Sequence, residues 1–116
     1  MLKLKPNLPL DYTLCTMTVT AYRREGLTRR VIEGVHYEFT HRREVLTGRE
    51  SLSREFLLVI PGQDPLAPGD KVVLGIGPEN VSWEELNPAR YPTLGVVKTV
   101  KPRYFQGKPC HTEAWG

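Results

Sequence analysis

The sequence predicts a mainly β fold, namely a small antiparallel β-barrel or sandwich with one short helix and a long loop or hairpin arm. Three observations indicate this class. The 116 residues fit the size of one domain. Ten glycines and ten prolines separate short runs rich in Val, Thr, Ile, Leu, Tyr and Phe, which is the composition of strands joined by turns. Six or so such runs recur about every ten residues without an internal repeat.

The chain divides into an extended N-terminal arm, residues 1–12, and a single β-rich domain, residues 13–116. The arm carries Leu2, Leu4 and Leu8, but its prolines and its length do not suit a core element. It is either a frayed tail or an arm that lies on a neighbouring protein with leucines as anchors. Lysines and prolines interrupt its apolar stretches, so we expect no signal peptide, no membrane span and no secretion.

The first predicted strand runs from Thr13 to Arg23, where residues alternate with a period of two and many are β-branched. This pattern is typical of a half-buried strand, and Arg24-Glu25-Gly26 reads as the hairpin turn after it. One face would carry Cys15, Met17, Val19 and Ala21, and the other Thr16, Thr18, Thr20 and Tyr22.

The second predicted strand runs from Leu27 to Phe39 and contains Gly34. A glycine inside a strand pattern indicates a bulge or a sharp bend, which would let a small sheet curl into a barrel. The apolar face of this strand would carry Val31, Val35, Tyr37 and Phe39.

Residues 41–55 are polar and charged, with Thr47-Gly48 as a turn signal. Val45 and Leu46 are apolar residues in this polar setting, and we predict that they contact a partner during assembly. The alternative is a long hairpin in which both fold back onto their own sheet.

The rest of the chain provides further strands and one short helix. Ser82 and Glu85 have the spacing of a capping box, and Pro88 and Pro92 would limit that helix to one or two turns. The remaining predicted strands are Phe56–Ile60, Lys71–Ile76, Leu94–Lys101 and Cys110–Trp115, with a turn through Gln106-Gly107-Lys108 between the last two.

The sequence gives no indication of catalysis, and we expect no enzyme, no metal and no cofactor. The histidines and cysteines lack the C-x-x-C and H-E-x-x-H spacings of metal sites, and adjacent Cys110 and His111 would lie on opposite faces of a strand. We expect His36 and His41 at the surface or at strand edges. Cys15 and Cys110 should be free thiols in a reducing compartment.

With its segments placed, the chain resembles the small head–tail connection proteins of tailed phages and prophages, also called minor capsid or head-closure proteins. The resemblance spans residues 13–115 and rests on the order of TMTVTAYRR, RRVIEGVHYEF, FLLVIPGQDPLAPGDKVVLG and CHTEAW. Within it, Gly34 before an aromatic strand, Ile60-Pro61 and Gly69-Asp70 match features that recur in that family.

The resemblance implies a virion structural protein that forms a homo-oligomeric ring in the phage neck, between portal or adaptor proteins and the tail. It implies no active site and places the protein in the virion or the cytoplasm of the bacterial host. The first 60 residues hold ten Lys or Arg against seven Asp or Glu, so this half could face DNA or an acidic neighbour. The DNA-facing candidates are Arg23, Arg24, Arg42 and Arg43.

The alternative function is a single-strand nucleic-acid-binding, OB-like barrel, in which exposed aromatic residues stack on bases beside basic residues. Tyr22, Tyr37 and Tyr104 are the candidates for stacking. The net charge of +3 is modest, and glutamates lie among the arginine pairs, so we expect weak nucleic-acid binding at most.

Overall fold

The computed structural model describes residues 15–46 and 49–116, and for residues 41–46, 49–54, 105 and 109 it describes only the backbone. Its elements are β1 (Met17–Arg23), a 3-10 turn (Glu25–Leu27), β2 (Thr28–Leu46), β3 (Arg49–Pro61), β4 (Lys71–Leu74), β5 (Gly95–Val96), β6 (Thr99–Phe105) and β7 (Lys108–Trp115). The strands form one antiparallel sheet of order β5-β4-β1-β2-β3-β7-β6, curled into a half-barrel. The predicted mainly β class is confirmed.

The curl begins at a bulge in β2. Thr18 of β1 lies opposite Glu33 and Met17 lies opposite Val35, so Gly34 is an extra residue in the ladder. Its φ of 71° lies in the left-handed region, which glycine adopts at little energetic cost. From residue 36 onward β2 pairs with β3 instead of β1, so the strand passes from one half of the sheet to the other. The predicted bulge at Gly34 is confirmed.

Because of this bulge, the apolar face predicted for β2 is wrong before Gly34. Val31 was expected beside Val35 on the apolar face, but it is 38% exposed, whereas Ile32 packs against the core. An extra residue shifts the alternation by one, so the residues before Gly34 have the opposite parity. The main core lies between the two halves of the sheet and contains Val19, Ala21, Val35, Tyr37, Phe56, Leu58, Ile60, Leu66, Val72, Val97 and Ala114.

A second, smaller core covers the other face of β1, which corrects the expectation that β1 is only half-buried. Tyr22 is 1% exposed and packs with Val73, Val81, Leu86 and Leu94. Its hydroxyl donates to the Pro78 carbonyl at 2.8 Å, and burial raises the pKa of that phenol. The loop between β4 and β5 therefore forms a layer over β1 and β4.

The predicted helix after Ser82 is a series of turns. The capping-box hydrogen bonds do form, with Ser82 N donating to Glu85 Oε1 at 3.1 Å and Glu85 N to Ser82 Oγ at 3.2 Å. Pro88 cannot donate a backbone hydrogen bond and disfavours the helical conformation at Asn87. The Asn87 side chain instead accepts from Arg90 N at 3.1 Å, which makes another turn.

The bounds of the last predicted strands also differ from those in the structure. The expected strand Leu94–Lys101 is divided between β5 and β6, because Val97 N donates to Asp70 O at 2.8 Å while Lys98 N donates to Trp115 O at 2.9 Å. These two bonds connect one short segment to both halves of the sheet. The predicted turn between β6 and β7 is confirmed, with Gln106 and Gly107 at φ of 51° and 77°.

Candidate interaction surfaces

The most prominent feature of the fold is the continuation of β2 and β3 beyond the sheet. Their register extends from His36 opposite Val59 to Leu46 opposite Arg49, whereas β1 pairs with β2 only as far as Val35. On the other side, β7 pairs with residues 57–61 of β3. We call residues 40–46 and 49–55 the distal ribbon, because within the described chain these two segments have only each other as paired strands.

Of the two alternatives for residues 41–55, a loop or a hairpin, the backbone is a hairpin. Val45 lies opposite Glu50 and Leu46 opposite Arg49 in its register. The side chains of both apolar residues lie outside the described part of the structure, so whether they contact a partner or their own sheet stays a prediction. The anchors proposed in the N-terminal arm, Leu2, Leu4 and Leu8, also lie outside the described residues.

Arginines in the first half of the chain form ion pairs with the loop between β3 and β4. Arg23 donates to both carboxylate oxygens of Asp70, at 3.1 and 3.0 Å, and to the Pro65 carbonyl at 2.7 Å. The hydrogen bond to Asp70 raises the pKa of Arg23. Arg30 binds Asp64 through two bonds of 3.0 and 2.9 Å. These paired contacts hold the loop against β1 and β2.

The four DNA-facing candidates do not form one basic surface. Arg23 is engaged with Asp70, and its neighbour Arg24 is exposed at the end of β1. Arg42 and Arg43 lie in the distal ribbon opposite Ser53 and Leu52, and their side chains are outside the described part. The first pair therefore lies near the start of β2, where Arg23 is opposite Thr28, and the second lies near its end.

A polar cluster is buried on the face of the sheet opposite the main core. The Glu113 carboxylate is 4% exposed, and its Oε2 lies 2.8 Å from His111 Nε2 and 3.1 Å from Arg103 Nε. His36 and Glu38, 3.1 Å apart, lie on the same face of the neighbouring strands. His111 is 6% exposed, and its strand β7 lies between β3 and β6 in the sheet.

This cluster can be explained by charge compensation. A buried carboxylate is costly unless charged or polar donors pair with it, and Glu113 has an arginine and a histidine at hydrogen-bond distance. The Cys110 thiol is 3.6 Å from the Lys108 carbonyl. Cys110 is an extra residue in the β6–β7 ladder, where Arg103 lies opposite His111 and Tyr104 opposite Pro109, so the opposite faces expected for Cys110 and His111 stay a prediction. The sequence carried a signal for the cluster, since His111 and Glu113 are two residues apart in a strand, but it did not show which residue lies across from them.

An apolar pocket of about 170 Å³ lies at the base of the distal ribbon. Phe39 and Phe56 are opposite each other across β2 and β3, and Gly95 packs so closely that a Cβ there would lie 2.3 Å from the Phe56 ring. The lining residues are Phe39, Phe56, Pro88, Leu94, Gly95, Val96, Lys98 and Gly116. The sequence did not predict the pocket, because its walls come from four separate parts of the chain.

The tyrosines proposed for base stacking are in different environments. Tyr22 and Tyr37 are buried at 1% and 4% exposure, and Tyr37 donates to the Thr93 carbonyl at 2.7 Å. Tyr104 is 55% exposed on β6. Only one of the three is thus available at the surface for stacking.

No disulfide joins Cys15 and Cys110, as predicted. In the described part of the chain, no three His, Cys, Asp or Glu side chains converge in a way that could hold a metal ion. Nor do the described ranges include a helix of the length and apolar character that crossing a bilayer requires. The chain matches no protein-family model, no curated protein and no solved structure.

Proposed function

We propose that this chain is a structural protein of the head–tail connector, or neck, of a tailed phage or prophage, and that it assembles through protein–protein contacts. The observation that carries the proposal is the distal ribbon, which extends from a small, well-packed β domain. The segments on which the family resemblance rests lie in β1, β2, β3, β4 and β7 together with the loop between β3 and β4.

An extended ribbon of this kind favours a role in assembly for an energetic reason. A two-stranded hairpin alone is marginally stable in water, so it benefits from a further strand or surface to pack on. The body of the protein is stabilised by its own two cores and by the Arg23 and Arg30 ion pairs. The ribbon can therefore bind a neighbouring subunit without being needed to hold the body together.

The alternative function, a single-strand nucleic-acid-binding barrel, has less support. Its stacking surface needs several exposed aromatic residues beside basic ones. Tyr104 is exposed on β6, but Tyr22 and Tyr37 are buried in the cores.

The proposal is tested by changing the ribbon tip while leaving the body intact. We expect Val45→Asp and Leu46→Asp to leave the melting temperature unchanged but to abolish ring formation or binding to a candidate portal protein. Covering two apolar side chains at a contact would contribute roughly 2–5 kcal/mol to association, and a buried aspartate would remove that contribution.

The measurements are thermal unfolding and the mass of the complex in solution, with and without the portal protein. Ile76→Asp is a matched control, because Ile76 is 74% exposed in the loop after β4, away from the ribbon. If both ribbon variants melt many degrees lower while the folded fraction still assembles, Val45 and Leu46 belong to the core and not to an assembly arm.

A further inference from the structure

The outer edge of β3 in the distal ribbon, facing away from β2, presents backbone groups for which the described chain supplies no paired strand. The pairing of β3 with β7 ends where Phe56 N donates to the Gly116 carbonyl at 3.1 Å. The backbone N–H and C=O of each strand residue point to the same edge, and successive residues alternate between edges. The same edge therefore carries the backbone groups of Arg54, Leu52 and Glu50.

The sequence along this edge has a symmetric charge pattern. Residues 49–55 read Arg-Glu-Ser-Leu-Ser-Arg-Glu, with Leu52 at the centre. When such a segment is placed antiparallel to a copy of itself about Leu52, Glu50 comes opposite Arg54 and Arg49 opposite Glu55. A two-fold axis repeats each pair, so all eight charges of the two segments face an opposite charge.

We propose that the outer edge of β3 pairs with the same edge of a second copy of this chain, in an antiparallel two-fold dimer with Leu52 opposite Leu52 of the second copy. The inference goes beyond the proposed neck function, since it concerns the purified chain without other virion proteins. The sheet then continues through four ribbon strands across the axis. An edge contact of this kind is isologous, so it closes at two subunits.

The hydrogen-bonding pattern and the charges select the same register. Leu52, Glu50 and Arg54 all direct their backbone groups to this edge, so both Leu52–Leu52 and Glu50–Arg54 are hydrogen-bonded pairs. Moving the axis to Glu50 or to Arg54 would place two like charges directly opposite each other, which is destabilising. Moving it to Ser51 or Ser53 would place Glu50 or Arg54 opposite Leu52 and leave their charges uncompensated.

The first test is the mass of the purified chain in solution, by sedimentation equilibrium over a range of concentrations. We expect a dimer, at twice the 13.2 kDa of the chain. Arg54→Glu should give a monomer, because position 54 of each copy lies opposite Glu50 of the other copy, and both of these pairs would then join two negative charges. The double variant Glu50→Arg with Arg54→Glu should restore the dimer, because it exchanges the partners and keeps every pair of opposite charges.

A second test measures the register itself by disulfide formation, in a background where Cys15 and Cys110 are alanine. Leu52→Cys should form a disulfide-linked dimer readily, because hydrogen-bonded antiparallel pairs have Cα atoms about 5.5 Å apart, within the reach of a disulfide. Glu55→Cys is the matched control on the same strand. It should stay reduced, because six residues, or about 20 Å, would separate the two copies of residue 55.

A monomeric wild-type chain at every concentration would overturn the proposal, as would a dimer that Arg54→Glu does not weaken. Cross-linking of Glu55→Cys in preference to Leu52→Cys would overturn the register. These experiments use the chain alone, so a negative result would not contradict the proposed binding to a portal protein. Conversely, the result of the portal-binding test with the ribbon-tip variants would not contradict the dimer.

Discussion

At the residue scale, the arginines that the sequence offered as DNA-facing candidates have different roles. Arg23 is 39% exposed at its side chain, yet it donates to a carboxylate that is 6% exposed and to a backbone carbonyl. Asp70 also accepts from Ala67 N at 3.0 Å, so it organises the turn that leads into β4. Adjacent arginines in a sequence therefore do not imply a shared surface, since Arg23 ends β1 and Arg24 begins the turn after it.

We predict that Arg23→Met lowers the free energy of unfolding by about 1–3 kcal/mol, because it leaves the Asp70 carboxylate without its charged donor. Arg24→Met is the matched control and should change stability by less than about 0.5 kcal/mol, since Arg24 is exposed at the adjacent position. Urea unfolding followed by circular dichroism measures both. Equal effects of the two substitutions would show that the Arg23–Asp70 pair contributes little net stability.

At the element scale, β2 is the strand that gives the sheet its curl. It pairs with β1 before Gly34 and with β3 after it, and the bulge between the two regions changes which side chains enter the core. Gly34 indicated an irregularity in the sequence, but not which side chains before it face the core, because a glycine in a strand can mark a bulge, which adds a residue, or a bend, which does not. This is why Val31 was placed on the wrong face.

We predict that Gly34→Ala destabilises the fold by about 1–2 kcal/mol, because an L-residue resists the left-handed backbone conformation. Steric overlap does not contribute, since the nearest atom to an added Cβ is the Cys15 carbonyl oxygen at 3.9 Å. Gly34→Asn should cost less, as asparagine tolerates this conformation better. Glu33→Ala, at an exposed neighbour, is the control in urea unfolding, and a loss no larger for Gly34→Ala than for Glu33→Ala would contradict the prediction.

At the scale of the whole molecule, the sequence predicted the mainly β class and the positions of most strands along the chain, because alternation, continuous apolar runs and turn residues are local signals. It did not predict the second core, because Thr20 and Tyr22 are polar enough to suggest solvent on that face of β1. They are buried by partners more than 50 positions away, the Gly75 and Pro78 carbonyls. The apolar pocket and the Glu113 cluster depend on the same kind of long-range contact.

The charge of the whole molecule leads to the last prediction, which concerns nucleic acid. The net charge is only +3, and two of the arginines in the basic half are neutralised by Asp64 and Asp70. Few phosphates can then be contacted, so binding of a single-stranded oligonucleotide should be weaker than about 1 µM at physiological salt and should fall further as salt rises. Fluorescence anisotropy over a series of salt concentrations measures this affinity.

Tyr104→Ala should have little effect on such binding, like the control Ile76→Ala at another exposed side chain. Tight binding that Tyr104→Ala removes and Ile76→Ala keeps would instead favour the nucleic-acid-binding barrel, because base stacking on one exposed tyrosine contributes about 1–3 kcal/mol, which corresponds to roughly a 5-fold to 150-fold change in affinity.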